Sequence, residues 1–395
     1  MEIRPGEKRL VPCDPVLKKL PLPDPARWEP IKRFVKFPME RVHIELTNRC
    51  NFKCAFCPST RMTRPRGSMD PDLAKKLIEE IATEKMAEKV VFHIMGEPTL
   101  YPKLGDILEH AKKFDLTTTL SSNGSRLDDK MADALVDGGL SKINVSLQTP
   151  DEESWKLRGF PGMTFDEYRD RILRFAARVV ERRSDMEVRV LLLVTGTRWW
   201  AKPFSGGMDI KVVDTDKDLR LLLTEWTNKL YDLAEAAGDT RYSRQKALEA
   251  IKDVNAGAWH ILHIHPNFAL ETYMLESWGN AMNDGVVHPA RFGYCSGLSD
   301  HFGVLCDGRI VFCCRDYDGN TSWGNTQNES LVNLLNAPEA LRAVRGFTHY
   351  RVKHPYCRRC LGSSSWMGWG MKQIGTIFLV NVLRDRFYKE IDLYE

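Results

Sequence analysis

The stretch ELTNRCNFKCAFCPST, residues 45 to 60, separates Cys50 from Cys54 by three residues and Cys54 from Cys57 by two. Glu45, Leu46 and Thr47 close an apolar run that reads as a strand, so the three thiols leave its C-terminal end on one loop. Three thiolates held so close can wrap one side of a soft metal centre. Their number is the constraint. A structural zinc site takes four protein ligands and a ferredoxin-type cluster four cysteines, so this loop leaves one position open. With iron, that reads as a [4Fe-4S] cluster whose fourth iron chelates a small molecule; with zinc, the three would need a distant fourth cysteine, as in a ribbon.

The pattern C-x3-C-x2-C resembles that of the radical S-adenosylmethionine (SAM) superfamily. The resemblance implies a [4Fe-4S] cluster on Cys50, Cys54 and Cys57 with SAM on its open iron, where reductive cleavage yields a 5'-deoxyadenosyl radical. Phe56 matches the family's aromatic beside the adenine. Met95-Gly96-Glu97-Pro98 is similar to the motif whose backbone meets the SAM amino group, with Met95 in place of a glycine. Ser121-Ser122-Asn123-Gly124 looks like the ribose-facing turn, which makes Ser122 and Asn123 cofactor contacts. Ser146 and Arg158 resemble the serine and arginine that hold the SAM carboxylate, for which a guanidinium offers a two-pronged fork. Gln148 stands where relatives often carry aspartate.

Strands read at 42 to 47, 89 to 94, 116 to 120, 142 to 147, 187 to 194 and 258 to 266, with helix faces between them such as Leu73, Leu77, Ile78 and Ile81. Such alternation implies a parallel sheet with chemistry at the C-terminal strand ends. The expected fold is α/β: a partial (β/α)6 radical SAM barrel followed by a small α+β cluster domain. The expected division is a proline-rich extended arm over 1–40, the barrel over 41–290 with insertions at about 196–216 and 238–257, the cluster domain over 291–365 and a C-terminal tail over 366–395. The first insertion carries Trp199, Trp200 and Phe204, which a hairpin lid could bring over the barrel mouth. Strand alternation sets His263 and His265 on one face and His260 on the other, so they do not form a three-histidine site.

At 395 residues and 43% hydrophobic, the chain can bury one large core and a smaller one. A net charge of +4, with both signs mixed along the chain, does not suggest nucleic acid or a membrane surface as the main partner. The run IGTIFLVNVL, 374 to 383, is too short to span a bilayer. The N-terminus lacks a signal-peptide core, so a cytoplasmic location is expected. Ten cysteines in such a chain argue for metal or redox chemistry over disulfides.

A second cysteine set lies late in the chain. Cys295 and Cys313 flank an Asp307-Gly308 hairpin signal, and Cys357 and Cys360 close a C-x2-C pair. Two such pairs suit zinc or iron equally. The block as a whole resembles the SPASM/twitch extension of radical SAM proteins, which implies one auxiliary [4Fe-4S] cluster on these four; Cys306 and Cys314 are rival ligands. The resemblance further implies oxidation of a small polar, sugar-like substrate through that cluster, with electrons from a flavodoxin- or ferredoxin-type donor. Maturation of a ribosomally made peptide, by crosslinking or epimerisation, is the alternative within radical chemistry. A non-catalytic zinc-binding module is the alternative outside it. No residue in the sequence names the base that the oxidation requires.

Overall fold

The computed structural model describes residues 37–196, 208–378 and 388–394. The expected arm lies almost wholly outside them, as do Trp199, Trp200 and Phe204 of the expected lid. Strand β1 (Met39–Ile44) leads through the cysteine loop to α1 (Pro71–Thr83) and β2 (Ala87–Val91); α2 (Leu104–Lys112), β3 (Thr117–Ser122), α3 (Asp129–Asp137) and β4 (Lys142–Gln148) follow. Next come a short α4 (Glu152–Trp155), α5 (Phe165–Glu181), β5 (Glu187–Val194), α6 (Asp216–Ala236) and α7 (Arg244–Ile251). Strands β6 (Trp259–His265), β7 (Phe268–Met274), β8 (His301–Val304) and β9 (Ile310–Val311) precede α8 (Leu331–Leu335), α9 (Pro338–Thr348), α10 (Pro355–Cys360), α11 (Trp366–Gly375) and β10 (Tyr388–Asp392).

Local chemistry explains the helix starts. Asp70 accepts from the amides of Asp72 and Leu73, and Pro71 opens α1, whose Leu73, Leu77, Ile78 and Ile81 are buried. A Thr164–Glu167 capping box starts α5, which buries Tyr168, Ile172, Phe175 and Val179. Strands β1 to β5 pair in parallel in chain order, so the connecting helices cover one face and leave the other as a lumen.

All the strands lie in one sheet of order β10-β6-β7-β5-β4-β3-β2-β1-β8-β9, which departs from expectation in three places. The run 258–266 is not the next parallel strand. Only Pro266 and Asn267 separate β6 from β7, too few for a crossover, so β6 folds back antiparallel and β7 takes the place beside β5. Nor is 366–395 a tail. Tyr388–Asp392 pairs with Trp259–His263 and extends the sheet. Finally, β8 pairs with β1, so the sheet runs straight across the expected boundary at 290/291.

The three histidines also fall differently. A register shift between His263 and His265 breaks the alternation, and His265 turns to Asp239 and Tyr242 while His263 faces Glu187 and Glu390. His263 Nδ1 lies 2.8 Å from Glu187 and Nε2 2.8 Å from Glu390, so it rivets β10 to β5 through β6. Hydrogen bonding to Glu187 raises the His263 pKa above its ordinary 6.5. Burial opposes ionisation of Glu187, but the His263 bond and the Arg189 and Lys142 charges outweigh it and carry the carboxyl down to about 2.

The stability that His263 contributes is full below pH 6.5 and fades as pH rises through the folded-state value. Glu187 loses its share only as pH falls below 4.5 toward 2, outside that window. Between about pH 6 and 9 the melting temperature of wild type should therefore fall toward that of His263→Gln. A constant gap across the range would show that the bridge does not titrate.

Candidate functional site

Just beyond β1 the chain buries Glu45 completely. Its carboxylate pairs with the Arg64 guanidinium and accepts from the amides of Met95 at 3.2 Å and Cys306 at 3.0 Å. One side chain thus gathers the cysteine loop, the loop after β2 and the β8–β9 hairpin. Cys306 is accounted for here: it lies against Glu45 and Arg64, and burial pushes its thiol up to about 12.

The cysteine loop is wired on both flanks. Lys53 and Ala55 donate to the carbonyls of Arg158 and Leu157, and the Cys57 amide closes a turn on the Cys54 carbonyl. Cys50 Sγ receives the Phe52 amide at 3.4 Å and Asn123 Nδ2 at 3.8 Å, while Cys57 lies 3.8 Å from Met95 Sδ. Burial pushes the Cys50 thiol up to about 11 and that of Cys57 to about 12, so a bound cation is what would hold them as thiolates.

Arg158 is buried beside these thiols, its guanidinium 4.9 Å from the Phe52 ring centre and 5.9 Å from that of Phe56. Burial works against its charge, and Cys54, Tyr168, Cys50 and Cys57 nonetheless raise its pKa. A shift in β4 pairing after Val145 swings Gln148 round, and Arg158 Nη1 donates to Gln148 Oε1 at 2.8 Å. Ser146 offers its backbone carbonyl to Tyr168. The Arg158 Nε is buried with no hydrogen-bond partner, a vacant donor that suits a carboxylate.

Glu97 ties the loop after β2 to the turn after β3. Glu97 accepts from Thr99 through amide and hydroxyl, from Ser122 Oγ at 2.8 Å and from the Asn123 amide at 2.6 Å. A buried carboxylate needs such donors, and the Ser122 hydroxyl is one of them. Burial still raises the Glu97 pKa, against the pull of those bonds. Gly96 has φ +86°, and a Cβ there would meet the Thr47 carbonyl oxygen at 2.4 Å, so only glycine lets this loop seat against the cysteine loop. Pro98 starts the single turn Pro98–Leu100 that follows.

The second group forms where the β8–β9 hairpin meets α10. Cys295, Cys313, Cys357 and Cys360 lie close enough for their charges to act on one another, and burial pushes the Cys313 and Cys357 thiols well up and that of Cys295 to about 11. A cradle surrounds them. A Cβ on Gly279 would fall 2.8 Å from Cys360 Sγ, and one on Gly297 3.5 Å from Cys295 Sγ. Asn280 and Lys372 satisfy the carbonyls of Cys360 and Gly362 at the end of α10. Cys314 turns to His301, which leaves the other four as the set that could hold one cluster.

Between the groups runs a line of side chains that no motif marks. Phe56 packs with Leu193 and Leu275 beside Cys54 and Tyr273. Tyr273 donates to Glu276 at 3.0 Å, and Glu276 holds Arg315 at 2.5 Å, two residues past Cys313. A cavity of about 580 Å³ lined by Trp155, Lys156, Phe160 and Met163 lies behind the Arg158 loop and includes none of the cysteines. Among the described residues no three His, Cys, Asp or Glu side chains close on one point as a single ion requires. A four-iron cluster takes one thiolate per iron, so its ligands stand apart.

A family model of the radical SAM superfamily matches residues 44–193, and one of the iron-sulfur cluster-binding SPASM domain matches 295–361. The chain belongs to the radical SAM superfamily. Its cofactors are SAM, the [4Fe-4S] cluster that binds it, and an auxiliary iron–sulfur cluster. This radical SAM chain is 29% identical over 109 residues to a tungsten-containing aldehyde ferredoxin oxidoreductase cofactor-modifying protein of Pyrococcus furiosus, 28% of this chain and 31% of the relative. It is 30% identical over 118 residues to the Fe-coproporphyrin III synthase of Methanosarcina barkeri, 30% of this chain and 29% of the relative. Each match spans about a third of the relative's length or less. Among solved structures, Streptococcus suis SuiB bound to precursor peptide SuiA shares the fold with TM-score 0.50 at 16% identity, over 80% of this chain and 69% of that one. No helix among the described residues is long and apolar enough to cross a membrane.

The two glycines separate the two groups experimentally. Gly96→Ala should cost about 2–3 kcal/mol through left-handed strain and backbone contact and deplete the iron carried by the 50/54/57 loop. Gly279→Ala should deplete auxiliary iron alone. Iron and sulfide analysis of each variant carrying in addition Cys54→Ala or Cys360→Ala checks the assignment.

Proposed function

We propose that Cys50, Cys54 and Cys57 hold the SAM-binding cluster, that Cys295, Cys313, Cys357 and Cys360 hold the auxiliary one, and that the enzyme dehydrogenates a small polar, sugar-like substrate seated between them. When bound, these groups supply a 5'-deoxyadenosyl radical to take a substrate hydrogen and an acceptor for the electron left behind.

The observation that carries this reading is the Tyr273–Glu276–Arg315 line, which supplies polar chemistry between the two cysteine groups. Arg158 with its vacant Nε would take the SAM carboxylate, held in place by Gln148. Phe56 would cover the adenosine and, with Leu193 and Leu275, keep water from the reacting carbon. Glu276 is the candidate base: its carboxylate can accept the hydroxyl proton at the carbon that has lost hydrogen, while Arg315 and Tyr273 keep it aimed. The relatives' names, one a cofactor modifier and one a porphyrin synthase, support a non-peptide substrate. The peptide reading rests on the fold shared with SuiB. The electron donor would be of flavodoxin or ferredoxin type.

Reduced enzyme and SAM, incubated with a cell extract, should yield 5'-deoxyadenosine and deplete one small molecule while a product two mass units lighter appears. Cys54→Ala should form no 5'-deoxyadenosine. Glu276→Gln should still form it but lose product by at least about a hundredfold, the usual size of a general-base contribution. Equal product from Glu276→Gln would remove Glu276 from the role, and a mass change only on a peptide would overturn the substrate class.

A further inference from the structure

Helix α11 is built inside out. Its Lys372 and Gln373, with Thr376 just beyond, face the protein: Lys372 Nζ donates to the Cys360 and Gly362 carbonyls, Gln373 Oε1 accepts from the amides of Arg291 and Phe292, and Thr376 Oγ1 accepts from that of Tyr294. Its apolar side chains face out. Trp366 is 69% exposed, Met367 74%, Ile374 52% and Phe378 55%. Residues 366, 370, 374 and 378 follow one another at four-residue spacing, and a Cβ on Gly370 would meet open space, so among the described residues nothing covers the stripe there.

The stripe continues onto neighbouring chain. Trp366 stacks on His288 at 4.3 Å, close to Val286, which is 79% exposed. Trp369 packs edge-on to exposed Phe292, which bridges to Arg351. Arg291 and Arg351, both exposed, therefore border the patch. Residues 340–378 contain seven Lys and Arg and no Asp or Glu, and 285–299 contain Arg291 and no acid. The net +4 of the whole chain conceals this local excess.

We infer that this face seats on an anionic lipid surface, with α11 lying in the headgroup layer and Trp366, Met367, Ile374 and Phe378 inserted. Tryptophan and aliphatic side chains on one helix face, bordered by arginines, are what an interfacial helix needs. The bordering arginines are matched by an anionic surface, whereas a second copy of the same patch would bring the same positive charges and no carboxylates to meet them. The side chains also stand proud of the surface, as insertion requires.

The reconstituted protein is floated with phosphatidylcholine vesicles and with vesicles containing roughly one-third phosphatidylglycerol. Binding to the anionic vesicles that weakens with salt is expected. Trp366→Ala with Met367→Ala should lower it at least about tenfold, and Arg291→Glu with Arg351→Glu by about fivefold or more per residue. Iron content and circular dichroism equal to wild type show that the variants fold. Failure of wild type to bind either vesicle overturns the proposal. So does a concentration-dependent dimer in light scattering that the Trp366/Met367 variant abolishes, or capture of an acidic flavodoxin by this face with no lipid binding.

Discussion

The buried Glu45–Arg64 pair is the interaction on which the arrangement of the site depends. A carboxylate with no solvent access is tolerable only if its lone pairs are matched, and here a guanidinium and two backbone amides match them. Those partners belong to three different segments. Removing one member of such a pair leaves an uncompensated buried charge, at a cost of about 3–5 kcal/mol. Because the cost falls on the cysteine loop, the loop after β2 and the β8–β9 hairpin together, none can shift without the others.

The sequence made the cysteine loop, the parallel strands β1 to β5 and the four late cysteines legible because each rests on short-range spacing. Three or four thiols at fixed intervals, or an apolar run between a cap and a turn, are visible in a window of a few residues. Contacts made over long range are not visible in such a window. Nothing within 142–148 shows that β4 changes register and hands Gln148 to Arg158. Nothing near Ser122 shows that Glu97, twenty-five residues earlier, will claim its hydroxyl. The hairpin of β6 and β7 was open to reading, since a Pro-Asn pair between two apolar runs is a turn signal and leaves no room for a helix. β10 was not, because its strand character depends on pairing with β6, far back in the chain.

Whole-chain averages hid a second kind of information. Net charge and mixed signs describe the barrel, where Asp and Glu alternate with Lys and Arg, but not the last third of the chain, where carboxylates vanish over 340–378. Helix periodicity has the same blind spot. It reports that α11 has two faces without saying which one is inside, and the assumption that apolar means buried fails when Lys372 and Gln373 are needed to satisfy carbonyls and amides beneath the helix.

The two cysteine groups are also joined directly, and this bears on how the enzyme selects a substrate. The segment after the cysteine loop runs along the cluster domain. Arg61 pairs with Asp284, the Thr63 amide and hydroxyl both reach Asp318, and Arg64 donates to the Tyr317 carbonyl at 2.6 Å. These bonds act with the β1–β8 pairing, so the interval between the groups is set by covalent neighbours and a continuous sheet, not by closure of one domain on another. A space of fixed size must discriminate by its lining. Under the proposed function, Glu276 and Arg315, partly exposed and paired with each other, would present an acceptor and a donor to substrate hydroxyls, and an apolar group seated against them would cost the pair its hydration.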